Sequence, residues 1–444
     1  MTKTFEELLL AFESNTAKIG VVGLGYVGLP LVTTFFEAGF YTLGFDIDEK
    51  KVDKLLNGES YIGHIHANTI DKAIIGEIFQ PTADFSRIRE VDAVIICVPT
   101  PLKNKNQPDL SYIESTGDLI SPYLRKGQLI VLESTTYPGT TNEILKPILE
   151  KSGLESGKDI FIAYSPERED PGNPDFSTKS IPKIIGGDGS IAVKLASSMY
   201  SRVVIETIPV SSLEIAEAVK LTENIFRSVN IAMVNELKTI FNGMGLDIWE
   251  IISAAKSKPF GYMPFYPGPG LGGHCIPIDP FYLTYRAKQF GQETKFIKLA
   301  GDINTNMPNY VINILKKALL DRFQLEINCA SILLIGIAYK KNVDDTRESP
   351  AYKLIELLES GGATVEYFDP FVDTIPLTRE YSKFNGKKSI VWSKQNICEF
   401  DATLICTDHD NIDYEALVSY SKLVVDTRNV ISSTNNKSNN VIKA

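Results

Sequence analysis

The sequence contains little histidine and tryptophan, and its cysteines are few and scattered. Its 444 residues include four histidines, two tryptophans and five cysteines. No two cysteines have CxxC spacing, so neither a zinc ribbon nor a disulfide framework is indicated, and reduced thiols are the simpler interpretation. His64 and His66 form an HxH pair, but no third ligand is in view and we interpret both as loop residues. We therefore expect no metal.

A net positive charge and a long apolar run are also missing. The formal net charge of −10 disfavours a dedicated nucleic-acid binder, because phosphate contacts need a basic surface. No apolar stretch approaches the ~18 residues of a membrane span. The first sixteen residues carry acidic side chains without a cleavage-type ending, which favours a short surface helix over a signal peptide. These features predict a cytoplasmic protein with no nucleic-acid or membrane partner.

Strand-like and helix-like stretches alternate in two parts of the chain. KIGVVG, YVGLPLVTTFFEAG and FYTLGFD follow one another from Lys18, and ASILLIGIAY and ATVEYFD repeat the theme from Ala330. Such alternation predicts parallel sheets with helices on both faces. Between the two parts, apolar residues recur at helical spacing from Ser212 to Gly243. This spacing predicts a long helix, suited to a spine between domains or a dimer seam.

The predicted fold class is therefore α/β. It comprises two Rossmann-like doubly wound parallel-sheet domains, joined by a long central helix and a helical middle domain. The predicted segments are an N-terminal extension (1–17), a first Rossmann domain (18–210), a central helical domain (211–317) and a second Rossmann-like domain (318–444).

A dinucleotide fingerprint lies between the first strand and the first helix of the alternation. In GLGYVG, Gly23 would make the tight turn, Gly25 would admit a pyrophosphate, and Gly28 would allow close helix packing. Asp46 ends the next strand, where it would accept from ribose hydroxyls and repel a 2′-phosphate, which favours NAD over NADP. The alternative is a glycine-rich turn that binds nothing.

The string PGPGLGGHC, ending at Cys275, is the most unusual in the chain. Its glycines allow a ligand to approach the backbone, and a cysteine before a helix could be a nucleophile. The alternative is a small buried hydrophobe, which is our interpretation of Cys97 and Cys406. Asp279 either caps a helix that begins at Pro280 or faces the thiol.

Three further groups are candidates for chemistry or binding. Lys220 and Asn224 are four residues apart, so they lie one turn apart on one face of the predicted helix. The lysine is either a partly buried acid or base, or a snorkelling surface residue. Glu167 and Arg168 end a strand in SPERE, and the alternative there is a charged loop. Lys340 and Arg347 follow the first strand of the second half, as phosphate ligands or as a solvated basic turn.

Several motifs together resemble the UDP-sugar 6-dehydrogenase members of the UDP-glucose/GDP-mannose dehydrogenase family. They are GLGYVGLP, VPTPL, ESTTYPGTT, YSPERE, KLTENIFRSVNIAMVNEL, GPGLGGHCIPIDP and GIAYKKNVDDTRESP, which stand in the family's order from Lys18 to about Asp426. SPEREDPG and GPGLGGHCIPIDPFYLTYRA are most similar to the UDP-N-acetylglucosamine branch. In the UDP-glucose branch, an arginine before the glycine loop reaches the substrate of a neighbouring subunit. The corresponding segment here, AAKSKPFGYMPFYPG, contains no arginine to match it.

The resemblance implies an NAD-dependent, four-electron oxidation of a UDP-sugar at C6, which would supply a surface polysaccharide pathway. Two NAD are reduced, and the aldehyde is carried on Cys275 as a thiohemiacetal and then a thioester. Lys220 matches the residue that works on the C6 oxygen, and a homodimer or higher oligomer is expected. The implied catalytic residues are Cys275, Lys220, Asn224, Asp279, Glu167 and Thr135; the implied NAD ligands are Gly23, Gly25, Tyr26, Val27, Gly28, Asp46, Pro99, Thr100 and Thr135; the implied substrate ligands are Glu167, Arg168, Lys220, Asn224, Tyr266, Gly272, Lys340 and Arg347.

Other functions remain open at this point. UDP-N-acetylgalactosamine or UDP-glucose could be the main substrate, because epimers differ in one hydroxyl direction. A one-hydride 3-hydroxyacid-type dehydrogenase would not need Cys275 or a third domain. A non-catalytic nucleotide-sugar sensor would have no need of Lys220, Asn224, Cys275 and Asp279 together.

Overall fold

The chain separates into two compact units in a computed structural model. The structure describes residues 3–63, 65–103, 107–168, 178–273, 275–378, 381–433 and 439–444, except for the side chains of Cys275 and Ser433. Unit 1 comprises residues 1–223 and 281–292, and unit 2 comprises residues 224–280 and 293–444. Two of the three crossings between the units, after Glu223 and after Pro280, fall inside helices. Among the residues described, no helix combines the length and apolarity needed to cross a bilayer.

The described strands of unit 1 form an eight-stranded sheet and a short ribbon. They are β1 (Lys18–Val22), β2 (Tyr41–Phe45), β3 (Phe79–Thr82), β4 (Ala93–Ile96), β5 (Leu102–Lys103), β6 (Gln107–Pro108), β7 (Gln128–Leu132), β8 (Ile160–Tyr164), β9 (Lys183–Gly187) and β10 (Thr207–Pro209). The sheet order is β10-β9-β8-β7-β4-β1-β2-β3, and β5 pairs with β6. β1 lies between β2 and β4, and all three are parallel. The central strands are buried on both faces, as a doubly wound sheet requires.

One edge of this sheet departs from the predicted parallel arrangement. β9 runs antiparallel to β8, and β10 is parallel to β9, so these two edge strands are reversed relative to the others. The Rossmann-type order of the remaining strands is as expected, with the carboxyl ends of β1, β4, β7 and β8 at one edge of the sheet.

Fourteen α-helices are assigned along the described residues. They are α1 (Phe5–Glu13), α2 (Gly28–Glu37), α3 (Glu49–Leu56), α4 (Ala67–Ile75), α5 (Ser111–Ile120), α6 (Lys146–Leu149), α7 (Ser190–Tyr200), α8 (Leu213–Gly243), α9 (Ile248–Ala255), α10 (Cys275–Gln289), α11 (Lys295–Phe323), α12 (Pro350–Ser360), α13 (Lys394–Cys398) and α14 (Tyr414–Tyr420). Thr4 caps α1 in a capping box, while Leu8 and Phe12 are fully buried. The predicted surface helix is thus anchored to the core of unit 1 by one face.

Unit 2 contains a five-stranded parallel sheet in the order β12-β11-β13-β14-β15. Its strands are β11 (Ser331–Ile335), β12 (Thr364–Phe368), β13 (Ala402–Ile405), β14 (Val424–Asp426) and β15 (Val441–Lys443). Ser349 caps α12 and Pro350 is its first residue, where the fixed φ of proline suits a helix. The sequence analysis did not predict the strand β15.

The helix α10 begins earlier than predicted. Asp279 and Pro280 lie inside it, and Cys275 is its first residue, so Asp279 is not a helix cap. Prolines at 277 and 280 look like helix breakers in sequence. Pro277 is tolerated because the first N–H groups of a helix have no partner within it, whereas Pro280, the sixth residue, lies inside the helix.

Candidate active site

The turn after β1 has a backbone that requires glycine at two positions. Gly23 has a φ of 93°, and a Cβ there would lie 2.5 Å from the Cys97 carbonyl oxygen. A Cβ at Gly28, where α2 begins, would lie 1.8 Å from the carbonyl oxygen of Gly23. A Cβ at Gly25 would meet no described atom within 4 Å. The turn therefore packs tightly on the sheet and stays open at Gly25, which fits a pyrophosphate at the start of α2.

Asp46 follows β2 and is organised by three neighbours. Its Oδ2 accepts from the Leu24 N–H at 2.9 Å and from the Lys51 ammonium at 3.2 Å. Its Oδ1 accepts from the Asp48 N–H at 3.0 Å. Because a carboxylate offers about four acceptor positions, Asp46 keeps capacity for one more donor, such as a ribose hydroxyl. The residues present thus fit NAD.

Other predicted cofactor residues lie in the same unit. Tyr26 and Val27 belong to the glycine turn, Pro99 and Thr100 follow β4, and Thr135 follows β7. The Ser134 hydroxyl joins two of these loops, since it donates to the Val98 carbonyl at 2.7 Å and accepts from the Val98 N–H at 3.0 Å. The carboxyl ends of parallel strands form the ligand-binding edge of such sheets, and the loops after β4 and β7 lie there together.

Lys220 is buried, which excludes the snorkelling interpretation. Only 5% of the residue is exposed. Its Nζ donates to the Glu167 carbonyl at 2.5 Å and to Glu167 Oε2 at 3.3 Å. A buried ammonium held by a carboxylate and a carbonyl is a fixed donor, which can stabilise charge on a substrate oxygen. The structure thus brings together two residues that are 53 positions apart.

Arg168 points its guanidinium at protein partners. Nη1 donates to the Pro182 carbonyl at 2.6 Å, and Nη2 donates to Glu223 Oε1 at 2.6 Å. These contacts tie the end of the SPER segment to the start of β9 and to α8. They use two of the five N–H donors of the guanidinium, and they make Arg168 a brace within unit 1.

Glu133 is a buried carboxylate that sequence reasoning missed. It follows β7 directly, is 1% exposed, and accepts from Lys183 Nζ at 2.8 Å and from the Tyr200 hydroxyl. It lines a small cavity together with Val27 and Glu167. Its position as an acid at the carboxyl end of a predicted strand, in ESTTYPGTT, was the available signal.

Glu217 is a second buried carboxylate that the sequence did not single out. On α8, it accepts from the Gly139 N–H at 2.6 Å, the Thr141 N–H at 2.8 Å and the Thr141 hydroxyl at 2.7 Å. Glu217 thereby fixes the loop after β7. It stands three residues before Lys220 on the same helix. Burial raises the pKa of Glu217 to about 7, although these donors favour its charged form. The sequence indicates this burial only through the position of Glu217, which stands next to the apolar Ala216 in the predicted long helix.

In unit 2, Asn224 and Asp279 form a buried pair. Asn224 Nδ2 donates to Asp279 Oδ2 at 2.5 Å, and the residues are 3% and 2% exposed. The pair connects α8 to the first turns of α10, which begins at Cys275. The Cys275 side chain lies outside the described part of the structure.

The glycine loop before Cys275 is pressed against the segment after β11. A Cβ at Gly272 would lie 2.8 Å from the Tyr339 Cβ, and the Gly273 N–H donates to the Arg347 carbonyl at 3.2 Å. Gly272 and Arg347, both predicted substrate ligands, are therefore neighbours. The Arg347 side chain is paired with Asp345 through contacts of 2.6–3.0 Å.

Lys340 and Tyr266 are the remaining predicted substrate ligands. Lys340 lies in the same segment after β11 and is partly buried. Tyr266 stacks on Trp249 with 5.8 Å between ring centroids, and 49% of it is exposed.

The turn after β11 repeats the backbone of the turn after β1. Gly336 has a φ of 83°, and Asp369 directly follows the next strand, β12. Asp369 Oδ2 accepts from two backbone N–H groups of residues 337–338 and contacts His409 Nε2 at 3.1 Å. Its Oδ1 accepts from two further N–H groups, of residues 371 and 372. The Asn342 N–H donates to His409 Nδ1, so Nε2 carries the proton and donates to Asp369. This acid is fully used by the protein.

Taken together, a Rossmann-type half with an NAD fingerprint and a second Rossmann-type half define a dinucleotide-dependent dehydrogenase. The chain belongs to the UDP-glucose/GDP-mannose dehydrogenase family. The family's NAD binding domain matches residues 17–204, its central domain matches 214–306, and its UDP binding domain matches 333–433. The protein is therefore an NAD-dependent UDP-sugar dehydrogenase, an oxidoreductase.

Relatives of this chain carry more than one sugar specificity in their names. It is 37% identical to a UDP-N-acetyl-D-glucosamine 6-dehydrogenase from Pseudomonas aeruginosa, over 82% of this chain and 85% of that one. It is 36% identical to a UDP-N-acetyl-D-mannosamine dehydrogenase from Methanococcus maripaludis, over 93% of each chain. Among solved structures, the UDP-D-ManNAc dehydrogenase from Pyrococcus horikoshii is similar with a TM-score of 0.85 and 31% identity, covering 96% of this chain and 98% of that one.

Proposed function

We propose that this enzyme oxidises UDP-N-acetylglucosamine at C6 to the uronic acid, for surface polysaccharide synthesis. Two NAD are reduced and one water is consumed for each sugar. Two buried contacts carry the proposal. In unit 1, Lys220 contacts Glu167; in unit 2, Asn224 contacts Asp279 on α10, the helix that begins at Cys275. The identity to UDP-N-acetyl-D-glucosamine 6-dehydrogenases and the SPERE motif support the choice of sugar.

In this proposal the first oxidation converts the C6 alcohol to an aldehyde. The alcohol loses its hydroxyl proton and a hydride, two electrons in all, and bound NAD supplies the hydride acceptor. Lys220 works on the C6 oxygen: its neutral amine takes the hydroxyl proton, and the ammonium that results stabilises negative charge there. Its contact with Glu167 orients it.

The second oxidation needs a tetrahedral carbon, because an aldehyde cannot lose its hydride without an added nucleophile. The Cys275 thiolate adds to C6 and gives a thiohemiacetal, which loses a second hydride and becomes a thioester. Water then attacks C6, the C–S bond breaks, and the carboxylate and the free thiol are released. Glu167 and Thr135 are proposed to position the water. Asn224 and Asp279 hold the α8 and α10 segments that carry the reacting groups.

The proposal is tested by counting NADH per UDP-N-acetylglucosamine consumed, for wild type and Cys275→Ser. We expect two NADH per sugar from the wild type and incomplete turnover by the variant. Cys329→Ser, at an exposed thiol, is the matched control and should retain wild-type turnover. One NADH per sugar would contradict the role of Cys275.

The substrate is tested separately with a panel of UDP-sugars. The panel comprises UDP-N-acetylglucosamine, UDP-N-acetylgalactosamine, UDP-N-acetylmannosamine and UDP-glucose, and kcat/KM is compared. UDP-N-acetylmannosamine is included because relatives of that name match 93% of this chain. A higher kcat/KM with any other member would overturn the sugar and leave the mechanism standing. Binding without turnover of every member would instead support a nucleotide-sugar sensor.

We also propose that two copies of the chain associate through α8. Phe226, Met233 and Ile240 are 47%, 45% and 43% exposed and are spaced by seven residues, which places them in one stripe along the helix. An exposed apolar stripe of this kind is typical of a helix that packs against a partner.

A further inference from the structure

The residue after the first glycine of the NAD turn is held on both of its backbone polar groups by side chains. Leu24 is fully buried, and its N–H donates to Asp46 Oδ2 at 2.9 Å. Its carbonyl accepts from the Tyr61 hydroxyl at 2.6 Å. Asp46 belongs to the end of β2, whereas Tyr61 comes from the segment between α3 and α4, so two separate parts of unit 1 hold one residue.

The segment that carries Tyr61 is itself anchored. The Ser60 hydroxyl donates to the Ile62 carbonyl at 3.0 Å and accepts from the Ile62 N–H at 3.2 Å. Ile62 and Ile65 are buried in the core of unit 1, and Tyr61 packs against the same core. The Tyr61 ring therefore has a fixed origin from which its hydroxyl reaches the glycine turn.

The hydroxyl remains a donor at every working pH. Burial, followed by the negative charges of Asp46 and Asp48, raises the pKa of Tyr61 well above its ordinary value. A neutral phenol can donate to the Leu24 carbonyl, whereas a phenolate would repel it.

We propose that Tyr61 is a positioning residue for NAD: it fixes the peptide after Leu24, and so the N–H groups of the turn, in the orientation that receives the pyrophosphate. The position of Gly25, open to a ligand directly after that peptide, is what makes the restraint relevant to binding. A turn that is ordered before binding loses less entropy when the cofactor arrives. The inference concerns NAD alone and does not depend on the sugar or on Cys275.

The test compares Tyr61→Phe with Tyr41→Phe. Both variants lose one phenolic oxygen in unit 1 and keep the ring, but the Tyr41 hydroxyl donates to the exposed Gln80 Oε1 at 2.9 Å, away from the turn. The dissociation constant of NADH is measured by its fluorescence. We expect Tyr61→Phe to raise it about three- to tenfold, the size of one neutral hydrogen bond, with Tyr41→Phe unchanged.

Two further readouts separate positioning from general loss of structure. In the ligand-free protein, hydrogen exchange of residues 23–28 should accelerate in Tyr61→Phe while the strands of the sheet keep their protection. The KM for NAD should rise while kcat and the KM for the UDP-sugar stay within twofold of wild type. An NADH dissociation constant within twofold of wild type, or an equal rise in the KM of both substrates, would overturn the proposal.

Discussion

The buried carboxylate of Glu217 makes the stability of unit 1 depend on pH in a direction opposite to that of most acids. Its pKa is about 7 in the folded protein against 4.5 for an ordinary glutamate. This difference corresponds to roughly 3 kcal/mol of preference for the protonated form. Below pH 4.5 both folded and unfolded states are protonated, and the stability is fully present. As the pH rises through about 7 that stability is lost, because only the folded state resists ionisation.

Glu217→Gln removes this titration. Exchanging an acceptor oxygen for an amide shifts the free energy of unfolding by a constant amount, which cancels when the pH dependence is compared. The free energy of unfolding of wild type minus that of the variant should therefore fall by roughly 3 kcal/mol between pH 4.5 and 8. The assay is native-state hydrogen exchange of β7 against urea, which reports unit 1 by itself.

The matched control is Glu114→Gln, at an exposed position on α5 of the same unit. The free energy of unfolding of wild type minus that of Glu114→Gln should not show the fall of roughly 3 kcal/mol between pH 4.5 and 8 that is expected for Glu217→Gln. A flat difference for Glu217→Gln would refute the assignment of a raised pKa. A difference that rises with pH would mean that the donors of Gly139 and Thr141 outweigh burial and hold the group charged.

Three other predictions, which use four substitutions, have defined outcomes. Gly25→Ala should leave the melting temperature unchanged but raise the NADH dissociation constant more than about tenfold. Gly28→Ala should lower both the melting temperature and the affinity for NADH, because a Cβ at residue 28 meets protein atoms and one at residue 25 does not. Equal effects of the two variants on the melting temperature would contradict this. Asp279→Ala should lower the free energy of unfolding of unit 2 by about 1–3 kcal/mol in urea titrations, since the amide of Asn224 loses a buried partner; an unchanged midpoint would show that the pair is dispensable. Met233→Glu should convert a dimer to monomers in sedimentation, and a wild type that sediments as a monomer at micromolar concentration would remove the proposed interface.

Local patterns were sufficient to predict most of the first Rossmann half. The glycine turn, the helix after it and the acid at the end of the second strand are close in sequence and obey known spacing, so they could be predicted without tertiary information. The reversed strand β9 was missed because KIIGG is short and contains two glycines, and direction is set by the partner strand rather than by composition. The start of α10 was missed because two prolines resemble an end to the helix.

The candidate site residues could be named from the sequence, but their contacts could not. Lys220 and Glu167 were both candidates, but nothing in their spacing shows that one binds the other across 53 positions. Glu133 and Lys183, 50 positions apart, look like ordinary charged residues until the fold buries both. Arg168 was predicted as a ligand residue from its place at a strand end, whereas the structure pairs it with Glu223 and a backbone carbonyl. That role therefore stays a prediction.

The repeated turn has a consequence for how nucleotide sites are recognised from sequence. A sequence pattern defined by a turn glycine and an acid after the next strand would match both turns, Gly23 with Asp46 and Gly336 with Asp369. One acid retains an acceptor position, and the other is saturated by four backbone donors and His409. The difference lies in the number of donors that the protein supplies, because Asp46 accepts three hydrogen bonds whereas Asp369 accepts four from the backbone and contacts His409 as well. Two turns with a similar backbone can therefore differ in whether their acid is left able to accept from a ligand.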